Sequence, residues 1–82
     1  MKKNQYKDGK KDGLWEEYHY NGNISNKGYY KDGERDGYWE FYWPNGRLSY
    51  KGYIKDGKQH GYCEEYFYYV QYNKTLTKKF HI

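Results

Sequence analysis

Aliphatic side chains are scarce in this 82-residue chain: besides Met1 there are only Leu14, Ile24, Leu48, Ile54, Val70, Leu76 and Ile82. That shortage excludes a thick globule with an oily centre, and 82 residues leave no room for a second core. Cysteine is limited to Cys63, which excludes an intramolecular disulfide or a cysteine-rich zinc site. No stretch approaches the length of a transmembrane helix. The basic start, "MKKNQYKDGK", has no apolar run behind it, so no signal peptide is expected and a reducing, cytoplasmic setting is. Arginine is nearly missing as well, with Arg35 and Arg47 against 13 lysines and a net charge of +4. The lysines alternate with acids in "KDGKKDG", "KDGERDG" and "KDGKQHG", so no single-sign block demands a nucleic-acid or lipid partner.

Aromatic rings are what the chain does have: 14 tyrosines, three tryptophans and three phenylalanines. Rings that carry an OH or NH suit half-wet surfaces, so this supply fits a thin sheet. The rings and glycines recur with a period of 24 residues. "YKDGKKDGLWEEYHYNG" (Tyr6 to Gly22) returns as "YKDGERDGYWEFYWPNG" (Tyr30 to Gly46) and again as "IKDGKQHGYCEEYFYYV" (Ile54 to Val70). Gly9, Gly33 and Gly57 coincide, as do Gly13, Gly37 and Gly61. Trp15, Trp39 and Cys63 share a column, followed by Glu16, Glu40 and Glu64. A period of this length marks a stacked array whose units bury their faces against neighbours. The repeats span about 6–29, 30–53 and 54–72, and a C-terminal cap covers about 73–82.

Each period reads as two strands. Asn21-Gly22 and Asn45-Gly46 are expected as the central pairs of two-residue type I′ hairpin turns. With that register Pro44 faces Arg47, Trp43 faces Leu48, Tyr42 faces Ser49, Phe41 faces Tyr50 and Trp39 faces Gly52. Trp15 lies over Gly28, Glu16 faces Lys27 and Glu40 faces Lys51. Trp39, Phe41, Trp43, Leu48, Tyr50, Gly52 and Ile54 then share one side, and Tyr38, Glu40, Tyr42, Ser49, Lys51 and Tyr53 the other. The segments "KDGERDG" and "KDGKQHG" are expected as longer turns between repeats, and "KKNQYK" as a short, lysine-rich edge strand. The fold class is all-β: an elongated, single-layer antiparallel sheet of stacked β-hairpins.

The spacing of Tyr50, Gly52, Ile54, Gly57, Gly61 and Cys63 resembles the membrane occupation and recognition nexus (MORN) repeat. The previous copy fits as Gly28, Tyr30, Gly33, Gly37 and Trp39, with Asn26 in place of the leading tyrosine. Trp15, Trp39 and Cys63 replace the final glycine, and "EEYHYNG" and "EFYWPNG" follow, as in the MORN repeat variant and the YwqK-type antitoxin family. The resemblance covers roughly Gly9 to Tyr68. It implies an elongated curved sheet that binds proteins or self-associates, and a role such as an antitoxin or a phage- or mobile-element-encoded inhibitor.

No enzyme is expected. The glutamate column has lysines opposite it, which makes surface ion pairs. His19, His60 and His81 occupy unlike positions without metal-ligand spacing, and Cys63 takes a tryptophan position as a small packed hydrophobe. No cofactor, metal or small-molecule substrate is expected. The candidate binding residues are Trp15, Trp39, Phe41, Trp43, Leu48 and Tyr50, a contiguous aromatic patch suited to a protein partner or a second copy. Single-stranded nucleic acid stacked on the rings beside Lys27, Lys31, Lys51 and Lys55 is the alternative, with anionic lipid behind it.

Overall fold

The computed structural model describes residues 2–82 and is all-β. Strands β1 (Gln5–Lys7), β2 (Lys10–Tyr18), β3 (Ile24–Lys31), β4 (Glu34–Tyr42), β5 (Leu48–Lys55), β6 (Lys58–Tyr69) and β7 (Lys74–His81) form one open antiparallel sheet in chain order. Its extents of 48 × 32 × 18 Å are those of a single layer carrying side chains on both faces. β1 is a three-residue exposed edge strand, as its lysine-rich sequence implies. β7, preceded by a short 3-10 turn at Val70–Tyr72 and by Asn73 at φ 48°, is the C-terminal cap, paired with β6 from Tyr62 to Tyr69. No helix among the described residues is long and apolar enough to cross a membrane.

The two kinds of turn have the opposite geometry to the one the dipeptides suggest. The tight two-residue turns are the Asp-Gly pairs. Both residues of Asp8-Gly9, Asp32-Gly33 and Asp56-Gly57 have positive φ, and the flanking residues pair directly, as in Lys31 with Glu34. That is the type I′ requirement. At the Asn-Gly corners only the glycine is at positive φ. The Gly46 N–H donates to the Trp43 carbonyl (2.9 Å) and the Trp43 N–H to the Arg47 carbonyl (2.8 Å), which makes a three-residue loop of Pro44, Asn45 and Gly46. Tyr20, Asn21 and Gly22 form the matching loop between His19 and Asn23. Proline presets the first central φ of a type I turn, and the Asn45 Oδ1 accepts from the Arg47 N–H (2.9 Å), so asparagine is used here as a side-chain acceptor.

The extra loop residue corrects the register near the corner. Phe41 opposite Tyr50, Glu40 opposite Lys51, Trp39 opposite Gly52 and Tyr38 opposite Tyr53 stand as expected, but Tyr42 pairs with Leu48 across a bulge, and Trp43 rather than Pro44 meets Arg47. Leu48 therefore belongs with Tyr42 on the glutamate face, not with Trp39. The second glycine of each "KDGxxxG" run, Gly13, Gly37 and Gly61, is at positive φ, and at Gly37 and Gly61 the ladder shifts register, so those two segments are tight turns followed by bulges.

The core is a layer of rings on one face. Trp39 is fully buried and Trp15 and Tyr50 nearly so. The Trp39 ring lies flat on Gly28: a Cβ built there would sit 2.1 Å from the Trp39 Cδ2. Trp15 pairs with Gly28 across the β2–β3 ladder as expected, but the ring that lies on Gly28 is that of Trp39, from the strand on its other side. At Gly52 the nearest atoms to a built Cβ are instead the Tyr50 hydroxyl (2.8 Å) and the Cα and Sγ of Cys63 (3.1 Å each). The two slots are filled in complementary ways, Trp39 beside the small Asn26 in one and Cys63 beside the large Tyr50 in the other. Asn26 and Tyr50 are equivalent positions one period apart, and each departure from the repeat pattern explains the other.

Gly28→Ala is expected to cost about 3 kcal/mol, since the indole must leave its slot, whereas Gly9→Ala, with open space but φ +79°, costs about 1 kcal/mol. Thermal melts of the two variants check this, and equal losses would contradict the ring-on-glycine packing. Cys63→Trp is expected to destabilise the fold by overfilling the Gly52 slot, and Tyr50→Asn added to it should recover much of the loss. Additive losses in that double variant would show that the two positions do not share space.

Candidate functional site

Ring edges and faces interlock along the apolar side. Tyr6 meets Trp15 edge to face (5.3 Å between centroids), Trp15 meets Tyr30 (5.8 Å), Tyr30 meets Trp39 (5.2 Å), and Phe41 lies between Trp39 (5.8 Å) and Tyr50 (5.7 Å). Such pairs add to the area they bury. The indole N–H of Trp15 donates to the Gln5 carbonyl (3.1 Å) and that of Trp39 to the Tyr29 carbonyl (3.0 Å), the same bond one period later. Water is kept off this layer from outside by cations. The Arg35 guanidinium lies 4.8 Å from the Trp39 ring and 5.2 Å from Phe41, and Lys11 lies 4.6 Å from Trp15. Residue spacing gave no hint of this role for Arg35, because the bulge between it and Trp39, on the same strand, breaks the alternation that would show which face it takes.

Of the six residues singled out by the pattern, Trp15, Trp39 and Tyr50 are therefore internal. Phe41 and Leu48 are half-buried, on opposite faces, and Trp43 is 43% exposed. The residues do not form one patch. Trp43 stands at the corner beside the Asn45–Gly46 loop, where β6 continues past β5: the β5–β6 pairing begins at Tyr50 and Glu65, so Tyr66 to Tyr69 pair only with β7. This projecting arm and Trp43 enclose two shallow recesses. One of about 360 Å³ is lined by Trp43, Asn45, Phe67, Tyr68, Tyr69 and Val70, and one of about 220 Å³ adds Arg47, Leu48, Tyr66 and Thr75. The Arg47 guanidinium stacks 3.8 Å from the Tyr68 ring centroid. Phe67, Tyr69, Val70, Tyr72 and Leu76 are all exposed on this arm. They fall outside the repeat pattern, which fades after Glu65. Their signal was compositional, a run of four aromatics in "YFYY" followed by valine.

The opposite face carries the glutamate column. Tyr38 and Tyr42 each donate a hydroxyl to one oxygen of Glu40 (2.8 and 2.7 Å), and Tyr62 and Tyr66 do the same for Glu64. In the first repeat Leu14 takes the leading place, and Glu16 is held by Tyr18 (2.8 Å) and Lys3 (2.6 Å). Alternation along a strand puts residues i, i+2 and i+4 on one face, so Tyr-x-Glu-x-Tyr brackets its own carboxylate. Lysines fill the strands between. Lys27 lies opposite Glu16 and Glu40, and Lys51 opposite Glu40 and Glu64. The closer contacts run to the following repeat, Lys27–Glu40 at 3.5 Å and Lys51–Glu64 at 3.7 Å, not to Glu16 and Glu40 respectively. Burial alone would push the Glu40 carboxyl up, but the hydroxyls of Tyr42 and Tyr38 and the charge of Lys27 outweigh it and hold it below the usual range. The hydroxyls of Tyr66 and Tyr62 lower Glu64 in the same way. Burial and the bond to Glu40 push the Tyr42 phenol up to about 12, and the bond to Glu64 followed by burial does the same for Tyr66. These groups stabilise each other's charge states: a carboxylate held ionised and phenols held neutral.

The histidines lie apart. The His19 Nε2 donates to the Tyr42 carbonyl (2.8 Å), His60 pairs with Tyr53, and the His81 ring rests 5.2 Å from Tyr62. Cys63 is buried and accepts the Tyr50 hydroxyl at 3.2 Å.

The architecture defines a class: an open, single-layer antiparallel array of hairpin repeats with rings packed on one face and a clamped carboxylate–lysine row on the other. Comparison with family models, curated proteins and solved structures finds no match for the chain.

The clamps make stability depend on pH at both ends. An unfolded glutamate titrates near about 4.3, above its lowered folded value. The Glu40 and Glu64 contribution is therefore present above that pH and is lost as pH falls through the folded values. An unfolded tyrosine titrates near about 10, below its raised folded value, so the Tyr42 and Tyr66 contribution is present below pH 10 and is lost between about 10 and 12. In denaturant melts, Glu40→Gln with Glu64→Gln should weaken the fold at pH 7 and approach wild type as the pH falls through the lowered folded values. Tyr42→Phe with Tyr66→Phe should flatten the alkaline loss. Parallel profiles for wild type and both variants would refute the clamps.

Proposed function

We propose that this chain is a non-enzymatic interaction module of the MORN-variant kind, which binds a protein partner through the exposed aromatic surface around Trp43. The observation that carries the reading is the position of Trp43 itself. It stands between two recesses with Phe67, Tyr69, Val70, Tyr72 and Leu76 exposed on the arm beside it, while the rings that hold the fold together are buried. Exposed rings clustered at one corner are the kind of surface that partners cover, and tryptophan and tyrosine contribute disproportionately to such contacts. The binding surface therefore comprises Trp43, with Phe41 and Leu48 at its margins. Trp15, Trp39 and Tyr50 act as its support. Neutralising a partner by occupying its surface, as an antitoxin or inhibitor does, is the form of this reading that the repeat resemblance suggests, in a cytoplasmic setting.

The glutamate face favours a structural over a catalytic role: Glu40 and Glu64 each accept two hydroxyls from their own strand and face lysines, an arrangement that holds the carboxylates ionised and fixed.

Trp43→Ala should weaken capture of a protein partner, or self-association measured by sedimentation, more than tenfold while the melt stays near wild type. Lys51→Ala should shift affinity only slightly. Trp39→Ala is a poor probe, since removing a fully buried ring costs about 3–5 kcal/mol and unfolds a domain this small. The assay includes single-stranded oligonucleotides and anionic vesicles as competitors. A dominant effect of Lys51→Ala, with binding that collapses in salt, would replace the protein reading by an anionic ligand.

A further inference from the structure

We propose that the outer edge of β7 accepts an acidic, extended segment of another protein as an eighth strand. Among the described residues β7 has a neighbour on one side only, and it is eight residues long and exposed along nearly its whole length. Its pairing fixes which backbone groups are free. Ile82 and Gly61 exchange both N–H···O bonds (3.0 Å each), and the same register runs on through Cys63–Phe80 and Glu65–Lys78. In an antiparallel ladder bonded pairs alternate, so Phe80, Lys78, Leu76 and Lys74 bond inward to β6. The N–H and C=O groups of Thr75, Thr77, Lys79 and His81 point outward.

The side chains specify the charge of the newcomer. Across the glutamate face a row of alternating sign crosses six strands, Glu16, Lys27, Glu40, Lys51, Glu64 and Lys79. Every interior lysine of this row has a glutamate on both sides, whereas Lys79 has Glu64 on one side and, among the described residues, no strand on the other. On the ring face Lys78 has Glu65 on one side and, among the same residues, no strand on the other. Two consecutive acidic residues opposite Lys78 and Lys79 would continue both rows, one on each face. A second copy of this chain is disfavoured at the same edge. Its own β7 brings Lys74, Lys78 and Lys79, and its β1 edge brings Lys3 and Lys7, against the same lysines. Lysines on an edge block self-pairing, and the same charges favour a strand of opposite sign.

The test uses the full chain and a fluorescent peptide, Thr-Val-Glu-Glu-Val-Thr-Val-Thr, with its Lys-Lys counterpart as control. The acidic peptide should bind, with slowed amide exchange at Thr75, Thr77 and Lys79, and the control should bind at least tenfold more weakly. Thr77→Pro removes one outward N–H without an inward bond, so it should keep the fold and reduce binding more than tenfold. Lys78→Glu with Lys79→Glu should reverse the preference between peptides. Trp43→Ala should leave this binding unchanged, which separates it from the surface proposed above. Equal binding of both peptides, unchanged binding in folded Thr77→Pro, or a homodimer that protects β7 would each overturn the proposal.

Discussion

The core of this sheet is built around a large ring lying directly on bare glycine backbone. A single layer has no second layer to bury its apolar face, so that face has to cover itself. Where Trp39 lies on Gly28, the indole reaches a depth that no Cβ would allow, and it is fully buried without a facing helix or sheet. The neighbouring rings of Tyr30 and Phe41 then close over it, and Arg35 covers the rings from the solvent side. Two glycines of the repeat are there for a different reason from the rest: Gly28 and Gly52 have ordinary strand backbones and are short of space for a side chain, whereas the turn and bulge glycines are at positive φ.

The same constraint divides labour between the faces. Rings that carry an indole N–H have to satisfy it inside the layer, which they do on the carbonyls of Gln5 and Tyr29. Phenols on the opposite face meet carboxylates instead. Glu40 and Glu64 each gain two hydroxyl donors from their own strand, Glu16 gains one, and lysines come from the strands beside them, so each charge is spread over a local, periodic set of partners. Contacts of this kind come almost entirely from adjacent strands, which lets the array be built hairpin by hairpin and end at a strand of different composition. The corner loops add a further link between units, with Asn21 and Asn23 both donating to the Pro44 carbonyl one repeat on (2.8 and 2.7 Å).

The surface proposed for a partner and the edge proposed for a strand both lie at the C-terminal end, where the repeat loses its regularity. Interior units have each face and both edges engaged. At the last unit β6 outruns β5, leaving Tyr66 to Tyr69 with a neighbour on one side only, and β7 leaves its outer backbone groups open. Ends are where an open array differs from its middle, and binding there does not require any interior contact to be broken.

Much of the molecule was determined by sequence. The 24-residue period, the sequential antiparallel order, the pairing of Trp39 with Gly52 and of Glu40 with Lys51, and the separation of Tyr38, Glu40 and Tyr42 from Trp39 all follow from alternation and glycine spacing. Local dipeptides were a poorer guide. Asn-Gly and Asp-Gly both favour positive φ, yet only the Asp-Gly pairs close two-residue turns, while both Asn-Gly corners are three-residue loops, one led by Pro44 and the other by Tyr20. That choice moved Leu48 to the other face. Only the tertiary structure decided which rings are buried. Trp15, Trp39 and Trp43 are alike in a pattern of apolar positions, but burial depends on whether a neighbouring strand presents a glycine and a covering ring. Trp39 has Gly28 beneath it and Tyr30 beside it, whereas Trp43, past the end of its strand, has only the open corner between the loop and the arm.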